Sequence, residues 1–177
     1  MRSYWSLCWK CKWWDTLVND SRNRDTSLIF STHSPRQVLR HADHVVVLSH
    51  GRVVADGDVT GLYRSPPSRE VASSLGPANW FPATETSAWG VGNGDVDICL
   101  RPEQIELVAD PNGTAIVVDS KTIGPLRETR LTRPGTDDSR TLTHLSGPAQ
   151  PVPTGTVRIT APDNHAGIKP AGEPTGS

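Results

Sequence analysis

The sequence predicts two units in series, a short α/β segment over residues 25–76 and a small all-β barrel or sandwich over residues 95–169. Three observations lead there. The stretch DTSLIFSTHSPRQVLRHADHVVVLSHGRVVADG at 25–57 passes from a strand-like run to a helix-like one and back to strands. After residue 94, short alternating segments recur between turn clusters. With 15 Gly, 15 Pro and 35% hydrophobic residues in 177, the chain is heavily punctuated by turns and can bury only a modest core.

Residues 1–24 stand apart, holding four of the six tryptophans and two of the three cysteines. Trp5, Trp9 and Trp13 fall on one helical stripe. Cys8 and Cys11 form a C-x-x-C, which by spacing is half a zinc site or a redox pair. No second C-x-x-C follows, Cys99 is isolated, and no thioredoxin-like context surrounds the pair. The segment is read as an atypical leader, either a short amphipathic helix or disordered.

In the 25–57 stretch, Thr26 to Ser31 is rich in strand formers and reads as a buried strand. Thr32-His33-Ser34 stands at its C-terminal end, where open α/β sheets place ligand-binding residues. Ser34 is the expected cap of a short helix, with Pro35 at its first position and Gln37 completing a capping box. HVVVLS at 44–49 is the next strand. His50-Gly51 is a tight turn, and Arg52 to Ala55 returns as the paired strand.

Asp58 caps a short helix through Tyr63, and Ser68 caps a second one through Leu75, stopped by Gly76. Residues 77–94 read as a linker, with Gly90 to Gly94 a flexible loop. In the β region, segments 95–100, 105–107, 114–120, 126–132, 140–145 and 156–160 are candidate strands, separated by turns such as Asn112-Gly113 and Pro134-Gly135. Arg101 and Glu103 are expected as an exposed ion pair fixing a strand turn. Residues 170–177 are expected to be a disordered tail.

A net charge of −1 and a pI near 6.6 leave no basic footprint for nucleic acid. The β region also has almost no aromatics for stacking single strands beyond Trp89. No apolar stretch is long enough to span a bilayer, so any membrane link is expected to pass through a partner. Three cysteines with no secretory signal point to a reducing, cytoplasmic setting. His41, His44 and His50 could suggest a metal, but His41 falls near a helix end and His44 opens a strand, and no metal ligands are assigned.

STH at 31–33, HADHVVVLSHGRVVADGD at 41–58 and LYRSP at 62–66, in that order, resemble the C-terminal part of an ABC transporter ATPase subunit. ANWFP at 78–82 resembles the linker into that family's accessory domain. ICLRPEQIEL at 98–107, with Gly113 to Val118 and TGTVRI at 154–159, resembles the TOBE domain of importer ATPases. The resemblance covers roughly residues 25–169. It implies an α/β remnant of a P-loop ATPase cassette followed by a small all-β, OB-like TOBE barrel. It also implies that His33 is the switch-loop (H-loop) histidine, which contacts the γ-phosphate and helps position the attacking water. Ser34 departs from the acidic residue often found after that histidine.

By the same resemblance, ATP and Mg2+ are the cofactors of the intact family. The partners are membrane permease subunits and a second ATPase subunit, and the location is the cytoplasmic face of the membrane. The 177 residues contain no G-x-x-x-x-G-K-[ST], no signature loop and no Walker B pair. The expectation is therefore a truncated importer subunit that neither binds ATP tightly nor hydrolyses it alone. Its solute would be ferric iron, a polyamine or a sugar, and LGPANWFP leans toward iron. The alternatives are a stand-alone TOBE-like barrel binding a small oxyanion or a protein partner, and a frame-shifted remnant without function.

Overall fold

The computed structural model describes the backbone of residues 6–145 and 153–161 and, within the first helix, the side chains of 13–21 and 23. That helix, α1, spans Ser6–Asn23. Trp14 holds it in place, packing edge-on to Phe30 with centroids 4.8 Å apart and stacking on His41 at 5.6 Å. Trp13, expected on the helix's apolar stripe, is 58% exposed, so the contact falls to its neighbour. Trp5, the side chains of Trp9, Cys8 and Cys11, and the 170–177 tail lie outside the described residues.

The strand expected at Thr26 to Ser31 does not form. The segment has no ladder partner among the described residues, and a strand exists only through a neighbour that takes its N–H and C=O groups. Leu28 and Ile29 are left exposed, Ile29 almost completely. Helix α2, Pro35–His41, follows with its proline in the first turn. The Ser34 cap has no side-chain bond, and the expected capping box is replaced by a different relay. The Ser34 N–H donates to Thr32 Oγ1 at 3.1 Å, and that hydroxyl donates to Gln37 Oε1 at 2.5 Å.

Strands β1, His44–Ser49, and β2, Arg52–Asp58, form an antiparallel hairpin with a bulge after Val47. Its turn needs two residues at positive φ, and His50 (47°) with Gly51 (75°) supplies them. Helices α3, Val59–Arg64, and α4, Arg69–Ser74, carry the caps the sequence anticipates. Asp58 accepts from Gly61 N at 2.6 Å and Ser68 Oγ from Val71 N at 3.3 Å. One face of the hairpin buries Val47 against Val71 and Leu75 of this helical layer, with Val38 and Val54 around them. The opposite face leaves Val46, Leu48 and Val53 exposed.

The second unit opens with β3, Asn79–Phe81, which pairs antiparallel with β4, Ile98–Leu100, across the short helix α5, Ala83–Thr86. A single 3-10 turn, Pro102–Gln104, leads to β5, Glu106–Ala109. Then come β6, Ala115–Ile123; β7, Leu126–Thr132; β8, Ser139–Leu145; and β9, Thr156–Thr160. The order β5-β9-β6-β7-β8 gives a five-stranded antiparallel sheet. A closed barrel is not found among the described residues: β5 and β8 are both edges, and no ladder joins them.

Asn79 offers a physical reason at the β8 edge. Its amide nitrogen donates to Thr143 O at 2.7 Å and its oxygen accepts from Thr143 N at 2.8 Å. A side-chain amide thus takes the hydrogen bonds a further strand would make there. The core between the five-stranded sheet and the β3–β4 ribbon gathers Phe81, Trp89, Leu100, Leu131, Leu142 and Val157, so residues of the 77–94 segment are packed in the interior. At the turn before β6, a side chain on Gly113 would run into the Val157 carbonyl, which makes glycine a steric requirement.

Candidate functional site

His33 is the residue singled out for chemistry. It lies exposed on the bend between the irregular 26–32 segment and α2, and its ring has no hydrogen-bond partner among the described residues. The backbone around it is organised: the Thr32–Ser34–Gln37 relay pins the bend to the first turn of α2. The imidazole is therefore presented outward from a fixed base, a geometry that suits contact with a ligand from outside this segment. No proton acceptor or carboxylate of the described chain sits on it.

The other histidines are dispersed. His41 stacks on Trp14, His44 Nε2 pairs with Asp56 across the hairpin, and His50 Nδ1 meets Ser49 Oγ at 2.9 Å. Among the described residues, no three potential metal ligands come together. The glycine-rich 90–94 loop is built around the buried Val91 and a tight approach of Gly92 to Ile98 and Thr86. Val91 anchors that loop, while Gly90, Gly92 and Asn93 stay exposed.

The largest departure concerns Arg101. An exposed ion pair with Glu103 was expected, but Arg101 is 1% exposed and makes no such pair. Its Nε donates to Tyr63 O at 3.0 Å, and its Nη1 reaches Ala72 O at 2.9 Å, Pro77 O at 3.1 Å and Gly76 O at 3.2 Å. Those carbonyls belong to the ends of α3 and α4, so one guanidinium joins the helical layer to the β unit. It also lies 4.1 Å from the Tyr63 ring centre. Arginine fits because its charge survives burial and its planar fork serves several acceptors at once.

Glu103 is used separately, accepting from the Tyr63 hydroxyl at 2.8 Å. Burial, followed by that carboxylate's hydrogen bond and charge, pushes the Tyr63 phenol up to about 12. Cys99, buried beside this junction, is likewise pushed up by desolvation, which keeps it a thiol. Asn79 and Arg101 were not legible as a junction from the sequence. The available signal was a charged residue closing the apolar run ICL and followed by a proline, which marks a buried cation as readily as a surface turn.

The order of a histidine bend, a helix–hairpin layer and an antiparallel β unit is accompanied by similarity to known proteins. Over about half its length the chain is a partial match to the ATP-binding subunits of importer-type ABC transporters. No family profile matches the chain. Particular relatives include the sulfate/thiosulfate import ATP-binding protein CysA of Synechococcus elongatus, 33% identical over 85 residues, which are 47% of this chain and 25% of the relative. The Fe(3+) ions import ATP-binding protein FbpC of Pseudomonas fluorescens is 34% identical over 111 residues, 54% of this chain and 32% of the relative. The spermidine/putrescine import ATP-binding protein PotA of Clostridium acetobutylicum is 29% identical over 112 residues, 55% of this chain and 32% of the relative. The chain thus spans about a quarter to a third of the length of these curated relatives.

Proposed function

We propose that this chain works within the ATP-binding subunit of an ABC importer, with residues 25–76 as the end of the ATPase cassette, 77–94 as the connection and 95–169 as the accessory TOBE-like domain. The observation that carries the reading is the partial similarity to importer ATP-binding proteins, combined with the retained order of histidine bend, hairpin, helical layer and β unit. In this reading His33 is the switch-loop histidine that contacts the γ-phosphate of ATP bound with Mg2+ by other parts of the catalytic assembly. Its outward exposure is consistent with that use, since the phosphate would approach from beyond this segment.

The partners in this reading are a membrane permease pair and a second ATPase subunit, at the cytoplasmic face of the membrane. Among the described residues no helix is long and apolar enough to cross a membrane. The relatives are named for sulfate or thiosulfate, Fe(3+) and spermidine or putrescine, which include both anions and cations, so the proposal stops at solute uptake. The 177 residues lack a phosphate loop, and we propose that by themselves they neither bind ATP tightly nor hydrolyse it.

Two measurements test the reading. In an assembled importer whose ATP-binding subunit carries this segment, His33→Ala is expected to lower ATP turnover on the order of 10²-fold while ATP binding persists. Unchanged turnover would remove His33 from the chemistry. For the 177 residues alone, calorimetry should detect no micromolar ATP affinity, and finding it would refute the second half of the proposal.

A further inference from the structure

A cleft of about 580 Å³ opens between the start of α4, the β3–α5 segment and the β7–β8 hairpin. Its walls bring three guanidinium groups, Arg69, Arg133 and Arg140, against two carboxylates, Glu85 and Asp138. Arg140 is committed: it donates to the Trp80 carbonyl at 2.7 Å, pairs with Glu85 and lies over the Phe81 ring at 4.3 Å. Arg133 pairs with Asp138 through Nη2, and its side chain stays partly exposed along the cleft wall. Arg69 is exposed and faces no carboxylate partner among the described residues.

The cleft therefore keeps a net positive charge after its internal ion pairs are formed, with guanidinium donors left over on two sides. An oxyanion entering here would meet those guanidinium groups in charge-assisted hydrogen bonds. The volume lies in the range of small-molecule sites, larger than a bare ion needs. Thr84, Ser139 and Thr141 add hydroxyl-bearing side chains to the lining, which suits a polar ligand body.

We propose that this cleft binds a small hydroxylated organic anion, its phosphate or carboxylate head held by Arg69 and Arg133. The inference does not rest on the importer reading. It joins a residue of the helical layer to two strands of the β unit, so an occupant would bridge the same two layers that Arg101 joins from inside.

The test is calorimetric titration of the 177-residue chain at constant ionic strength with inorganic phosphate, glycerol 3-phosphate and citrate, against sodium chloride. Saturable heat from glycerol 3-phosphate identifies a phosphate ester as the source of the head, and heat from citrate identifies a polycarboxylate. Either should exceed inorganic phosphate. Arg69→Glu, at an exposed position that leaves the fold intact, should weaken binding at least about tenfold, as should Arg133→Gln. Arg52→Glu, on the hairpin turn outside the cleft, should leave it unchanged. Failure of both organic anions to saturate overturns the proposal, as does an Arg52→Glu loss equal to that of Arg69→Glu.

Discussion

The two units of this chain both build antiparallel strands and end in different states of completion. In the β unit, the inward residues of five strands meet Phe81 of β3 and Trp89 from the turn after α5, so Leu131, Leu142 and Val157 are fully buried. In the helix–hairpin layer only one hairpin face is covered. Val47 is buried by Val71 and Leu75, while Val46, Leu48 and Val53 on the other face are left exposed, Leu48 and Val53 paired only with each other across the ladder. Alternation fixes which residues share a face, but burial depends on whether a second layer is present to receive that face. The lesson is that one strand pattern can report a finished core or an unfinished one.

The sharpest way to break this contrast is to empty the finished core. Phe81→Ala should cost about 3–5 kcal/mol, because a fully buried ring leaves a cavity that a sheet cannot collapse around. Denaturant unfolding by far-ultraviolet circular dichroism reads this directly. An effect below about 1 kcal/mol would mean that the ribbon does not complete the core.

The junction comes next. Arg101→Met keeps volume but abandons four carbonyls that lose their donor, and should cost roughly 2–4 kcal/mol. Amide hydrogen exchange should localise the damage to α3 and α4, with the five-stranded sheet still protected. Uniform loss of protection would show that the two units are one cooperative block.

A pH series separates the same regions by sign. His144, buried beside Thr129, whose hydroxyl also meets the exposed Ser120, is held below its ordinary value of 6.5, mainly by desolvation. The unfolded chain takes up that proton first, so its contribution is full above about 6.5 and declines as the pH falls through that value. Tyr63 behaves oppositely: raised from 10.0 to about 12, it favours the folded state below pH 10, and that advantage is lost as pH rises through 10 to 12. His144→Phe should flatten the acid limb and Tyr63→Phe the alkaline limb in urea titrations. Either limb persisting unchanged would point to another group.

The smallest effect belongs to the open face. Leu48→Ser, at a side chain 69% exposed, should change stability by no more than about 0.5 kcal/mol. A loss comparable to that of Phe81→Ala would show that this face is covered in solution, and sedimentation of the wild type would then reveal by what.

Much of the fold was legible in local signals. Asp58 and Ser68 cap their helices as the sequence suggests, because capping needs only a side-chain oxygen two or three residues from the N–H it accepts. His50-Gly51 turns the hairpin through its own positive φ angles. Strands β6 to β9 lie where alternation and the intervening turns put them. The segment at Thr26 to Ser31 has the same propensity and no ladder, since hydrogen bonding to a neighbour is not a property of one run of residues. The position of His33 on a bend was legible too. Its outward exposure, and the anion-facing cleft between α4 and the β7–β8 hairpin, were not.

By itself, then, the sequence determined the caps, the turns, the faces of the strands and the resemblance that its ordered motifs carry. The packing of the layers added that Arg101 is an internal clamp, that Asn79 bonds the β8 edge at Thr143 and that, among the described residues, β5 and β8 remain unjoined edges. The reason is range. A cap or a turn is settled within a few residues, whereas Arg101 meets acceptors 24 to 38 positions away and Asn79 meets Thr143 across 64. Pairings at that separation depend on how the layers pack, and no periodicity in the chain records them.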